Sequence, residues 1–324
     1  MKKTIAVLLA VLLLVTLAAC SGTGSKPGND PGDTTAQAPT EQTPAEPQKI
    51  ADDTTALGLV FTPPEGYADV NRHFEYAADG SLVDKSLSYR FADKSEVMIG
   101  ATKGKQITDE IPQSYLDKAE VVEYGGKSFY VVTQGNNVMA VCQDNDVAYG
   151  LGWSFADALD RGKFDALMDG ISFTDNTDTV ENGDDLFDIT YTPDSSLNAV
   201  TVMNNLTETP DGETVDKAIT RYYGADKDNI DFRLLVKVTK NTTVEEAIPK
   251  FDTAKELERD GVTYTAVYNT NDGERPYAYF TQRGNDVYEI RNMGTGSSWS
   301  VTRSDASYEA LEKLMSTVSF ADSN

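Results

Sequence analysis

Few side chains in this 324-residue sequence can serve as a nucleophile, a base or a soft metal ligand. There is one histidine, His73, in NRHFEYAADG, and there are two cysteines, Cys20 and Cys142. A Ser-His-Asp or Cys-His site needs that single imidazole beside a nucleophile, and Cys142 is the thiol that would have to meet it. Cys142 lies in the strand-like run NVMAVCQD, where a buried, inert thiol is expected. His73 reads as a solvated loop histidine. Zinc needs several His or Cys ligands, which this composition does not supply. Carboxylates are plentiful, 52 in all, and calcium takes oxygen ligands. Yet DNTDTVENGDD and NTNDGERP miss the spacing of the calcium loop, and DKDN at Asp226 lacks its glycine, so all three read as solvated acidic turns. GTGSSWS, from Gly294, is Gly/Ser-rich without the strand and Lys-Ser that a phosphate loop requires. A glycosidase-type carboxylate pair needs no local motif and stays as the alternative. The expectation is therefore no metal, no cofactor and no catalytic residue.

The elements that must position these groups begin with a leader. Lys2 and Lys3 precede an apolar run, Ile5 to Leu17, broken only by Thr16 and too short for a span of about 20 residues. Residues 1–19 read as a secretory signal peptide. The run closes on Leu17-Ala18-Ala19-Cys20, which resembles the lipobox of bacterial lipoproteins. That resemblance implies a diacylglycerol on the Cys20 sulfur and a mature chain starting at Cys20. Two acyl chains anchor a protein stably where one does so only marginally. The implied location is the cell membrane, lipid-anchored and facing away from the cytoplasm. Residues 20–56, rich in Pro, Gly, Thr and acids, have almost nothing to bury and read as a disordered tether.

Charge narrows the partners. The leader carries two of the 28 basic residues and no acid, leaving 26 basic against 52 acidic residues in the mature chain. Such an excess repels phosphate backbones, so nucleic acid is excluded as a partner. An envelope protein or glycan remains. With Cys20 consumed by lipid, Cys142 has no disulfide partner, and the exported part must rely on its core.

A repeat supplies that core. LVFTPPEG near Phe61 matches ITYTPDSS near Tyr191. ATKGKQITDEIP, ending at Pro112, matches VTKNTTVEEAIP, ending at Pro249. EYGGKSFYVV from Glu123 matches ERDGVTYTAV from Glu258, NDVAYGL from Asn145 matches NDVYEIR from Asn285, and FDALMDGISFTD matches LEKLMSTVSFAD. Two copies follow, 57–175 and 188–322, joined by an acidic linker, 176–187. Each reads as strands, a helical region around Ile111 or Ile248, three strands with Gly/Asn/Asp hairpin turns, and a closing helix. Phe164, Leu167, Met168 and Ile171 form one apolar stripe, repeated by Leu311, Leu314, Met315 and Val318. The expected class is α+β, two tandem copies of a mainly antiparallel sheet packed with helices. The opening Phe61-Thr62-Pro63-Pro64-Glu65-Gly66-Tyr67 and the closing Ser172-Phe173 resemble the Mog1/PsbP-like fold, an α/β/α sandwich. That resemblance implies a non-enzymatic binding or assembly factor. The functional expectation is a membrane-anchored extracytoplasmic lipoprotein acting as a non-catalytic binding or assembly module; the alternative is a cell-envelope hydrolase using a carboxylate site.

Overall fold

The computed structural model describes residues 54–175, 189–194, 196–197, 199–226, 228–249, 252–269, 275–297 and 300–321. The leader, Cys20, the tether up to residue 53, the linker and Trp299 lie outside them. The first half runs β1 (Thr55–Ala56), β2 (Leu59–Val60), β3 (Asp69–Ala77), β4 (Leu82–Arg90), β5 (Glu96–Lys103), α1 (Ile107–Glu110), α2 (Gln113–Leu116), β6 (Glu120–Tyr124), β7 (Lys127–Gln134), β8 (Asn137–Asp144), β9 (Val147–Ser154), α3 (Arg161–Asp169) and β10 (Ser172–Phe173). The second runs β11 (Ile189–Thr190), β12 (Ala199–Glu208), β13 (Thr214–Asp226), β14 (Asn229–Thr239), α4 (Val244–Ala247), β15 (Thr253–Arg259), β16 (Val262–Tyr268), β17 (Pro276–Arg283), β18 (Asp286–Asn292), β19 (Thr295–Ser297), β20 (Ser300–Thr302), α5 (Asp305–Met315) and β21 (Ser319–Phe320).

The α+β expectation, and with it the α/β/α sandwich, is overturned. Strands hold 55% of the described residues and helices 13%, and fourteen strands form one antiparallel sheet in the order β15-β16-β17-β18-β14-β13-β12-β3-β4-β5-β9-β8-β7-β6. Two physical causes account for the difference. The helical regions around Ile111 and Ile248 stop after one turn, because each of those residues precedes a proline and is held extended, at φ −115°, ψ 117° and φ −76°, ψ 134°. The copies also do not form separate sheets. Their opening long strands, β3 and β12, pair edge to edge from Ala77↔Thr201 to Val70↔Glu208, so each half covers an edge that would otherwise stay open.

From that seam outward the two halves run in the same order, β3-β4-β5-β9-β8-β7-β6 and β12-β13-β14-β18-β17-β16-β15. One face of the sheet carries both main cores. In the first, Phe129, Leu87, Ile99 and Leu151 pack against Phe164, Met168 and Ile171 of the closing helix region. In the second, Tyr264, Val236 and Ile290 pack against Leu311, Leu314 and Met315. Leu167 is only half-buried at the rim of its core, unlike its counterpart Leu314. The final Ser-Phe pairs do not extend the large sheet; β10 pairs with β2 and β21 with β11 in small separate ladders.

Asp160 and Ser304 cap the closing helices by accepting from the backbone N–H of Lys163 and Ser307. Each helix is then clamped through an acid at one matched position. Asp165 accepts from the Tyr124 hydroxyl at 3.0 Å and from Arg161 Nε at 2.7 Å. Glu312 accepts from the Tyr279 hydroxyl and from Arg259 Nη2, the latter at 2.6 Å.

Candidate functional site: the opposite face across the seam

Direct cross-strand partners share a face of an antiparallel sheet, so the ladder registers define what lines the side opposite the cores. One row reads Val141, Gly150, Gly100, Ser86, His73, Asn205, Ala218, Lys237, Glu289, Phe280. It is centred on the seam. Asp84-Lys85-Ser86-Leu87 and Asp216-Lys217-Ala218-Ile219 take matching places on β4 and β13, each Asp opposite a Thr of the next strand, Thr102 or Thr239. By the same register His73 and Asn205 are matched positions that face each other, so a local two-fold axis passes between them. Val141 packs with Ile111 and Leu116 of the α1–α2 region, and Phe280 packs with Val244, Ala247 and Ile248 of the α4 region. Among the described residues no helix packs on this face of the eight strands between those two patches.

His73 is therefore not a loop residue. It is a buried strand residue on β3, with Nδ1 2.9 Å from Asn205 Oδ1 and Nε2 3.9 Å from Asp84. Beside it, Asn71 Nδ2 donates to Thr207 Oγ1 at 3.1 Å, and Thr207 donates to Asp216 at 3.4 Å. Thr102 donates to Asp84 and Ser88 to Glu96. On this face the seam is thus a lattice of polar side chains bonded to one another, with the Asn71 Oδ1 acceptor buried and unmatched, as is Asn204 Oδ1 on the core side of the same ladder.

Cys142 is buried against Tyr149 on the core face, whereas His73 points to the other face, with three strands between β3 and β8. Among the described residues no Cys-His pair exists. Burial pushes the Cys142 thiol up to about 11, with Lys127 opposing weakly. Among the described residues no three His, Cys, Asp or Glu side chains gather as a metal-binding group. Asp226 closes its own turn, accepting from the Asn229 side-chain amide and from the N–H groups of Asp228 and Asn229, and these bonds, the Asn229 side chain's first, lower its pKa. Most of the other two acidic stretches, and Cys20, lie outside the described residues. Tyr223, Tyr277 and Tyr279 are buried and Tyr222 half-buried, so these rings are not displayed as an exposed stacking platform.

The halves differ on this face. The sequence match of NDVAYGL with NDVYEIR is one residue out of structural register. The turn after β8 is Asn145-Asp146, and the turn after β17 is Gly284-Asn285. The matched core tyrosines are Tyr149, edge-on to Phe173 at 5.1 Å, and Tyr288, edge-on to Phe320 at 5.1 Å. Trp153 accordingly matches Asn292, not Met293, and Gly150 matches Glu289. A Cβ at Gly150 would meet nothing nearer than a Val141 methyl at 4.0 Å. The first half thus has a shallow glycine and serine floor where the second carries charge. Sequence reasoning missed this floor. The run VDKSLS against VDKAIT was the available signal, since it sets the register from which the row follows.

No protein-family model matches this chain, and no curated protein does. Among solved structures it is similar to TP0453, at 7% identity over 70% of this chain and 88% of that one, with a TM-score of 0.29. It is similar to MucB in complex with MucA(peri), at 9% identity over 79% and 94%, TM-score 0.19. It is also similar to the immunity protein TplEi of the T6SS from Pseudomonas aeruginosa, complexed with the "L" peptide, at 7% identity over 82% and 97%, TM-score 0.23. Two of these three were solved with a protein or peptide partner. At these TM-scores the likenesses carry no argument about this chain.

Proposed function

We propose that this protein is a membrane-anchored extracytoplasmic lipoprotein, held through Cys20, that works as a non-catalytic binding or assembly module for an envelope protein. The observation that supports the reading is the sheet face across the seam, eight strands wide between two helical patches. Strands about 4.8 Å apart make that face roughly 40 Å across, a dimension suited to a protein surface rather than to a small substrate. Its polar groups are largely spent on one another, as expected of a preformed recognition surface and not of a site that must move protons. The glycine and serine floor of the first half leaves room for a partner side chain.

The test has two parts. Metabolic labelling with a fatty-acid analogue should mark the wild-type chain and leave Cys20→Ala unlabelled. Pull-down from envelope extract with the full mature chain should recover a protein that Gly150→Glu, which fills the floor with the residue type of the second half, no longer retains. Label on Cys20→Ala removes the anchor from the reading. A partner captured equally by Gly150→Glu removes the seam face, and turnover of peptide, ester or glycan substrates that one Asp→Ala or Glu→Ala change abolishes removes the non-catalytic role.

A further inference from the structure

In a chain with nearly twice as many acids as bases, a guanidinium without a carboxylate is unexpected. Arg303, between β20 and α5, is such a group. Its Nε donates to the carbonyl of Asn292 at 2.8 Å, and its guanidinium carbon lies 4.1 Å from the centroid of the Tyr277 ring. It makes no ion pair and no other hydrogen bond among the described residues. Both anchors are rigid. Asn292 is fully buried; its Nδ2 donates to Ser307 Oγ at 2.8 Å and its Oδ1 accepts from Gly294 N–H at 2.9 Å. Tyr277 is buried because the β16–β17 ladder skips it, a bulge beside Pro276 that turns it toward Ala278 and Phe280.

A second guanidinium shares the same ring. Arg291 lies 5.9 Å from Tyr277 and 5.8 Å from Phe280, and its Nε is held by Glu289. The nearby acids are already engaged. Glu289 sits 2.5 Å from Arg291 Nε as an ion pair, and Asp252 accepts from the Tyr277 hydroxyl at 2.5 Å. Burial lowers the pKa of Arg303, against opposing pulls from Tyr308, Tyr277 and Asp252 and with Arg291 adding to it. A planar guanidinium held by Nε and by its ring face leaves its two terminal nitrogens without a hydrogen-bond partner among the described residues, and such a fork is the group that takes both oxygens of an oxyanion. The first half has no equivalent: the position matching Tyr277 is Val138, and that matching Asn292 is Trp153.

We propose that Arg303, with Arg291 beside it on Tyr277, forms an oxyanion site in the second half that takes a carboxylate or phosphate group. The site adjoins the second-half end of the seam row, through Glu289 and Phe280 beside Arg291, and lies far along the sheet from the Gly150 floor. The experiment is calorimetric titration of the full mature chain in detergent with sodium phosphate and, separately, sodium acetate, against sodium chloride at equal ionic strength. Saturable binding of at least one oxyanion is expected, weakened at least tenfold by Arg303→Ala and by Arg303→Lys, the latter keeping charge and stem but not the fork. Glu289→Gln, which removes the competing carboxylate, is expected to tighten it. Circular dichroism establishes that each variant is folded, and Arg303→Lys decides the matter if Arg303→Ala is not. Heat no greater than with chloride for both anions, or undiminished binding by Arg303→Lys, overturns the proposal. The phosphate and acetate arms separate a phosphate-bearing ligand from a carboxylate-bearing one.

Discussion

Cys142 shows how position removes chemistry from a side chain. With its pKa raised from 9.0 to about 11 by burial, the thiolate that would react is scarce and the sulfur is out of reach. A maleimide or disulfide reagent at pH 8 should therefore leave Cys142 unmodified in the native protein and label it after denaturation, as peptide mapping reads; fast labelling of Cys142 in the native protein would contradict the structure. The same shift has a pH consequence. A folded-state pKa above the unfolded one stabilises the fold fully below pH 9, and that contribution is lost as pH rises toward 11. Cys142→Ala should flatten that part of the alkaline stability profile. Asp194 behaves in the opposite sense. Lys313, 2.7 Å away, and Ser196 lower its pKa to about 2. Its contribution is present above the ordinary carboxylate pKa and disappears as pH falls through about 2, so Asp194→Asn should narrow the difference in thermal midpoint between pH 5 and pH 2.

At the scale of elements, the closing helices are held by apolar stripe and acid clamp together. Leu314 is buried whereas Leu167 lies at the rim. Leu314→Ala should cost about 2–5 kcal/mol in chemical denaturation and Leu167→Ala distinctly less; equal costs would mean the two helices sit alike. Tyr279→Phe keeps the ring but removes the hydrogen bond to the Glu312 carboxylate. It should cost about 1–2 kcal/mol, and far less in a Glu312→Ala background, where the acceptor is gone, which a double-mutant cycle reads directly. The outer strands show another device. β15 carries Lys255, Glu256, Glu258 and Arg259 on an exposed edge, and β6 carries Glu120 and Glu123, charges that discourage pairing with a further strand.

Across the whole molecule, the β3–β12 seam makes the two halves one hydrogen-bonded sheet, and the His73–Asn205 contact lies at its centre. Calorimetry should accordingly show a single cooperative transition for both halves. Asn205→Pro removes a ladder donor in a central strand and should split that transition in two or abolish folding. Two separated transitions in the wild type would show that the seam carries little energy.

Much of this architecture was legible in one dimension. Hairpin turns, the closing apolar stripes and the paired Thr-Pro ends are local signals, written in neighbouring residues whose periodicity reports which face is buried. The scarcity of His and Cys was legible as well, since composition bounds what a site can contain. Tertiary structure decided three things, the first in part and the other two alone. The helices beside Ile111 and Ile248 stay at one turn partly through the local bias of a residue before proline, and partly because those residues pack against the sheet face. The true register of β18 depended on which residues fill the turn, Gly284-Asn285, and the shared Asn-Asp-Val letters conceal that. The fusion of the halves depended on two strand edges far apart in the chain meeting, and no local pattern encodes which edge a strand will choose, because its backbone groups are the same on both sides. That choice placed His73, an apparent loop residue, at the centre of the molecule.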